Sequence, residues 1–101
     1  MSDAPIVLIN MLKAQPGKQA ALLALLQENT ETVIRTLPGW KTTRLIAAND
    51  GDGVVIYSEW DTAAAVEAMR GDARMQAYFP KISALASLES MAGPAVFSEA
   101  R

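Results

Sequence analysis

The segment Ile6–Leu12 is apolar on both faces of any strand it forms: Ile6, Leu8 and Leu12 fall on one side with Asn10, and Val7, Ile9 and Met11 on the other. Leaving either face bare would put roughly several hundred Å² of hydrocarbon in water, the size at which a patch marks an interface. Such a strand has to be covered twice, and the rest of the chain must supply at least one cover.

The turn Gln15-Pro16-Gly17 leads to Leu22, Leu25, Leu26, Val33 and Leu37, which recur at helical spacing until Pro38-Gly39. This predicts one long amphipathic helix. Trp40–Ala48 reads as a second strand, Asn49–Gly53 as a turn and Val54–Trp60 as a third strand, so these two form a hairpin. Asp61 is placed to cap a helix carrying Val66 and Met69 that breaks near Gly71. Asp72 opens a further turn or two with Met75, Tyr78 and Phe79, and Pro80 disturbs the backbone after it. The chain to Ser90 reads as helical or irregular, and Gly93-Pro94 introduces a short last strand at Ala95–Ser98. The order is βαββαβ, an α+β ferredoxin-like fold in which a four-stranded antiparallel sheet carries helices on one face. All 101 residues are expected to form one domain. The uncovered face of the first strand predicts a homodimer whose two sheets close into a barrel-like core.

Half of the residues are hydrophobic and 20% are charged, a globular composition. The net charge of -2 comes with no block of Lys or Arg, which argues against nucleic acid as a partner. Without cysteine there is no disulfide, thiolate nucleophile or Cys-bound metal. Without histidine there is no Ser-His-Asp triad, His-ligated haem or imidazole base. Asp50-Gly51-Asp52-Gly53 lacks the later ligands of a calcium loop and reads as a hairpin turn, so no metal site is expected. Neither that segment nor Pro16-Gly17-Lys18 completes a nucleotide-binding motif. Met1-Ser2-Asp3-Ala4-Pro5 has no positive leader and the apolar run after it is too short to span a bilayer, so a cytoplasmic protein without membrane contact is expected.

Four stretches carry a family resemblance: Ile9-Asn10; Leu37-Pro38-Gly39-Trp40; Asp50-Gly51 ahead of Val54-Val55-Ile56-Tyr57-Ser58-Glu59-Trp60; and Glu67-Ala68-Met69 with Gln76-Ala77-Tyr78. From Ile6 to Phe97 the chain resembles the antibiotic biosynthesis monooxygenase domain. The resemblance implies a dimeric α+β barrel with a pocket between sheet and helices. Members of that superfamily include cofactor-independent anthrone oxygenases, quinol monooxygenases and haem-degrading enzymes. This chain departs from the pattern at Ile56, where the anthrone oxygenases carry Asn, and at Val66, where they use Tyr. Ile46 stands where relatives commonly have His, and the missing His near Tyr78 argues against haem degradation.

Cofactor-free oxygenation requires a site that binds an electron-rich phenol, stabilises its anion and excludes water. Alternation puts Val54, Ile56, Ser58 and Trp60 on one face, which the resemblance turns toward the helices, and Asn10 is expected to join them. Trp60 can stack on an aromatic ring and donate its indole N–H, or serve as a core residue. Asn10 can hold a substrate carbonyl or enolate, or bond to backbone. These two are the candidate catalytic residues. Arg44, grouped by alternation with Trp40, Thr42 and Ile46, offers either a charge for an oxyanion or a rim ion pair. Tyr78 offers either a proton relay or core packing. Ile46, Ile56, Ser58, Val66 and Met69 are expected to line the substrate pocket, and Tyr57 to face the dimer partner. The expected function is a cofactor-independent monooxygenase of a small aromatic phenol, anthrone or quinol. The alternatives are a non-catalytic dimer that binds a small molecule or serves as a scaffold, and an isomerase, which would need an acid or base in the pocket.

Overall fold

A strand apolar on both faces belongs in the interior of a sheet, where both its edges are also paired. In the computed structural model, which describes residues 5–101, β1 (Ile6–Ala14) takes that position. It pairs antiparallel with β3 (Gly53–Trp60) on one edge and with β4 (Ala86–Pro94) on the other, and β2 (Trp40–Ala47) lies outside β3. The order β2-β3-β1-β4 is the expected ferredoxin-like arrangement. Three helices, α1 (Gln19–Thr32), α2 (Ala63–Gly71) and α3 (Ala73–Ser83), complete it. Met1–Ala4 lie outside the described residues, and with them most of the leader reading.

The last strand corrects the sequence reading. It spans Ala86–Pro94, whereas Ala95–Ser98 is irregular. Ala86, Leu88, Glu89 and Met91 are good helix formers, but the open edge of β1 offers nine residues of ladder pairing, from Ile6↔Pro94 to Ala14↔Ala86, and tertiary pairing overrides local preference. Pro94 sits at the strand's last residue, where a missing N–H costs least.

The first helix stops at Thr32 and does not run to Leu37. Three consecutive β-branched residues, Thr32, Val33 and Ile34, crowd the preceding turn, and Val33 leaves helical geometry at φ -123°. Ile34–Thr36 then makes one tight 3-10 turn. Thr62, and not Asp61, caps α2, with its hydroxyl accepting from Ala65 N at 3.0 Å. Asp72 caps α3 as expected, accepting from Arg74 N at 2.8 Å and Met75 N at 3.2 Å. That helix runs eleven residues through Pro80. Proline lacks the N–H that Gln76 carbonyl would receive, and because both residues are exposed, water can serve instead.

Gly39 shows why the chain reverses as it does between α1 and β2. Its φ of +85° is left-handed, and a Cβ there would lie 2.6 Å from the Ala65 methyl of α2. The β2–β3 hairpin is pinned by Asp50, whose carboxylate accepts from Asp52 N at 2.8 Å and Gly53 N at 2.9 Å. Those two backbone donors hold the Asp50 carboxyl below its ordinary pKa, Gly53 contributing most.

Between sheet and helices the core forms two separate clusters. Leu12, Leu22, Leu26 and Val54 anchor one, with Ile82 and Ala86. Leu8, Trp60, Val33 and Val66 anchor the other, with Met69 and Met75. Among the described residues no helix is long and apolar enough to cross a membrane.

Candidate functional site

The two clusters are separated because the sheet is not uniformly apolar where they would meet. Asn10 lies on β1 between Leu8 and Leu12, opposite Ile56 on one side and Ser90 on the other. Ser58 and Thr43 face each other across β3 and β2 in the adjacent row. Above this seam lies a cavity of about 740 Å³, with Asn10, Thr43, Ser58 and Ser90 among its floor residues and Asn29, Met69 and Met75 among those lining it from the helices. Its size suits a small-molecule site.

Two indoles fix the hydroxyls of the floor. Trp60 Nε1 donates to Ser58 Oγ at 3.1 Å, and Ser58 Oγ donates in turn to Leu8 carbonyl at 3.4 Å. Trp40 Nε1 donates to Thr43 Oγ1 at 2.8 Å. Trp60, at 1% exposure, is thus a core residue whose polar atom is already committed, and its influence reaches the cavity through Ser58. The amide of Asn10 takes part in none of these bonds. It is half-buried at the cavity floor with its hydrogen-bonding capacity open to an occupant.

Of the residues proposed from sequence, Asn10, Ile56, Ser58, Trp60 and Met69 come together at this cavity. Val66 does not line it, being buried against Trp60 in the neighbouring cluster. Tyr78 packs partly against both clusters, and its hydroxyl lies 3.3 Å from Thr32 Oγ1, with Lys81 Nζ 5.1 Å from the ring centre.

Arg44 and Ile46 are on the opposite face of the sheet. Strict alternation grouped them with Trp40, but an irregularity between Trp40 and Thr42 shifts the register by one residue. Trp40 therefore pairs with Trp60 on the helix side, whereas Arg44 and Ile46 pair with Tyr57 and Val55 on the open side. There Tyr57 donates to Glu59 Oε2 at 2.9 Å, and that bond raises the phenol's pKa above its ordinary value.

Sequence reasoning missed Asn29, Thr43 and Arg70. Asn29 had left a signal: it occupies the same helical stripe as Leu22, Leu26 and Val33, a polar residue where only hydrocarbon belongs. Its Nδ2 donates to Met75 Sδ at 3.3 Å. Thr43 became visible only with the register shift. Among the described residues Arg70 is the one ionisable side chain lining the cavity, and it is paired with Glu67 at 2.9 Å toward solvent. Among the described residues no group of three potential metal ligands occurs.

This arrangement can be set beside known proteins. SnoaB, a cofactor-independent oxygenase from Streptomyces nogalater, superposes with a TM-score of 0.86 over 94% of this chain and 96% of its own, at 16% identity. A Shewanella oneidensis protein superposes at 0.80 over 90% of each chain, at 21% identity. At such identities the likeness establishes the fold. In sequence, the tetracenomycin-F1 monooxygenase of Streptomyces glaucescens is 36% identical over 72 residues, covering 71% of this chain. The match takes in 64% of that relative's length. The sequence pattern of the family described as antibiotic biosynthesis monooxygenase matches residues 5–81, and the chain belongs to that family.

Proposed function

We propose that the protein is a cofactor-independent monooxygenase that takes a small aromatic phenol, anthrone or quinol into the cavity between sheet and helices. The observation that carries this reading is the composition of that cavity: largely apolar walls, the free amide of Asn10, and hydroxyls oriented by two indoles. An anthrone supplies all the electrons the reaction needs. Its methylene carbon loses two C–H bonds and gains one oxo oxygen from O2, while the other oxygen leaves as water with the two hydrogens. The substrate is oxidised by four electrons and O2 is reduced by four. The chain has no His or Cys to bring to this chemistry.

In this reading the first proton leaves because the substrate is acidic, since among the described residues no carboxylate or imidazole lines the cavity. The Asn10 amide N–H stabilises the resulting enolate oxygen, and the apolar walls keep water from competing with oxygen. The test is oxygen uptake by metal-stripped protein with a panel of anthrones and quinols. Asn10→Ala is expected to lower turnover roughly a hundredfold, the usual effect of losing one donor to a developing anion. Uptake no faster than without protein across the panel would overturn the reading.

Ile56, as hydrocarbon at the seam, favours a second reading, a dimer that binds an aromatic molecule without transforming it. Saturable binding without uptake would identify it.

We also propose a homodimer formed through the open face of the sheet. Val7, Ile9, Met11, Val55 and Met91 lie there, with Met11 58% and Met91 75% exposed. A second copy offers the same apolar surface in return. Light scattering at micromolar concentration tests it, and a monomer throughout would reject it. The cytoplasm is the proposed location, consistent with a chain free of cysteine.

A further inference from the structure

We infer that Asn29 is a specificity-determining residue that accepts a hydrogen bond from a free hydroxyl on the aromatic occupant, selecting phenols over their ethers. The inference rests on the proposal that an aromatic molecule occupies the cavity and deepens it by naming which functional group is read.

Asn29 is 2% exposed and lines the cavity from α1, facing the sheet. A buried amide has two ends with opposite demands, and its neighbour decides which end points where. Here the neighbour is a thioether. Met75 Sδ carries no hydrogen and can only accept, so the amide group beside it at 3.3 Å must be the NH2. The carbonyl oxygen is thereby turned away from Met75. It accepts no hydrogen bond from the described residues, yet none of their buried side-chain oxygens lacks a partner, so this oxygen is open to the cavity. The outcome is an acceptor of fixed direction on an otherwise largely apolar helix wall.

A fixed acceptor discriminates in a way a hydroxyl cannot. Thr43 and Ser90 each keep an O–H that the described residues do not engage and that can turn toward or away from a ligand, whereas the Ser58 O–H is given to Leu8 carbonyl, so the floor tolerates either a phenol or an ether. Asn29 Oδ1 only accepts. A ligand hydroxyl satisfies it, an ether oxygen leaves two acceptors facing each other, and a bare C–H leaves it unpaired. Met75 is a positioning residue, because its sulfur holds the amide in this orientation.

The test uses quenching of tryptophan fluorescence by three quinones that cannot be oxygenated in the same way: 2,6-dihydroxyanthraquinone, 2,6-dimethoxyanthraquinone and unsubstituted anthraquinone. The wild-type protein is expected to bind the dihydroxy compound about tenfold more tightly than the other two. Asn29→Leu is expected to abolish or reverse that preference while binding anthraquinone at least as well as wild type. Met75→Leu keeps the volume and is expected to reduce the preference without abolishing binding. Equal affinity of wild type for all three compounds would overturn the inference without recourse to any variant, and so would an unchanged preference in folded Asn29→Leu. The two proposals fail separately. Asn29-dependent preference without oxygen uptake from anthrones removes the oxygenase reading alone. Uptake with no Asn29-dependent preference removes this inference alone.

Discussion

The two faces of the sheet are built from the same strands and solve opposite problems. On the helix side, apolar residues are buried and the few polar groups are tied to each other or open into a cavity, as in Trp60 to Ser58 to Leu8. On the open side, comparable hydrocarbon stands exposed beside charged groups, with Met11 next to Lys13 on β1 and Tyr57 bonded to Glu59 on β3. The contrast shows what alternation distributes: one residue's shift along a strand exchanges the surroundings of the cavity for those of the open face.

Adjacent residues give the widest test of that contrast. Leu12→Ala is expected to cost about 2–5 kcal/mol in denaturant unfolding, because Leu12 is buried in the helix-side core. Met11→Ala, one residue away on the open face, is expected to change the stability of an isolated chain by less than about 0.5 kcal/mol and to weaken self-association instead. Equal effects on folding would erase the distinction. Ser58→Ala is predicted to lose about 1–3 kcal/mol, since it leaves the buried Trp60 N–H without an acceptor, and a blue shift in tryptophan emission would accompany it. Thr62→Ala removes the cap of α2 at about 1 kcal/mol, read as a lower melting temperature.

Acidity sharpens the comparison further with smaller effects. Asp72 is held below its ordinary pKa chiefly by its bond with Arg74, and Asp50 by the backbone of its turn. Both favour the folded state above the unfolded carboxyl value of 3.8, and that contribution is lost as pH falls through their lowered values. Tyr57 is raised above 10.0 by Glu59, so its contribution is present below that value and lost as pH rises through the higher one. Thermal melts from pH 2 to 11 in wild type, Asp50→Asn and Tyr57→Phe check both ends. Between them, oxygen uptake is expected to follow the ionisation of the substrate, because among the described residues no carboxylate, lysine or tyrosine lines the cavity.

Much of the architecture could be read from residue order, because its cause is local. The doubly apolar β1, the Asp-Gly hairpin and the Asp72 cap each announce themselves within a few residues. What stayed hidden depended on partners distant in the chain. β4 is a strand because β1 has a free edge, although its own residues favour helix. Arg44 and Ile46 left the site, and Thr43 entered it, because of an irregularity that no spacing in β2 foretells. Asn10 and Ser58 were legible from alternation on their strands, whereas Asn29 required taking a polar intruder on a leucine stripe as seriously as the leucines.

The division of the core into two clusters has a bearing on how such a protein changes over time. Each cluster contains its own sheet residues and its own helix residues, and the seam is tied to one of them through Trp60 to Ser58 and Asn29 to Met75. The seam behaves like a plate clamped between two halves: Asn10 and Ser90, which belong to neither cluster, can be rewritten for a new ligand without unbuilding them. That freedom at two floor positions is one physical route by which a site can change while its fold persists.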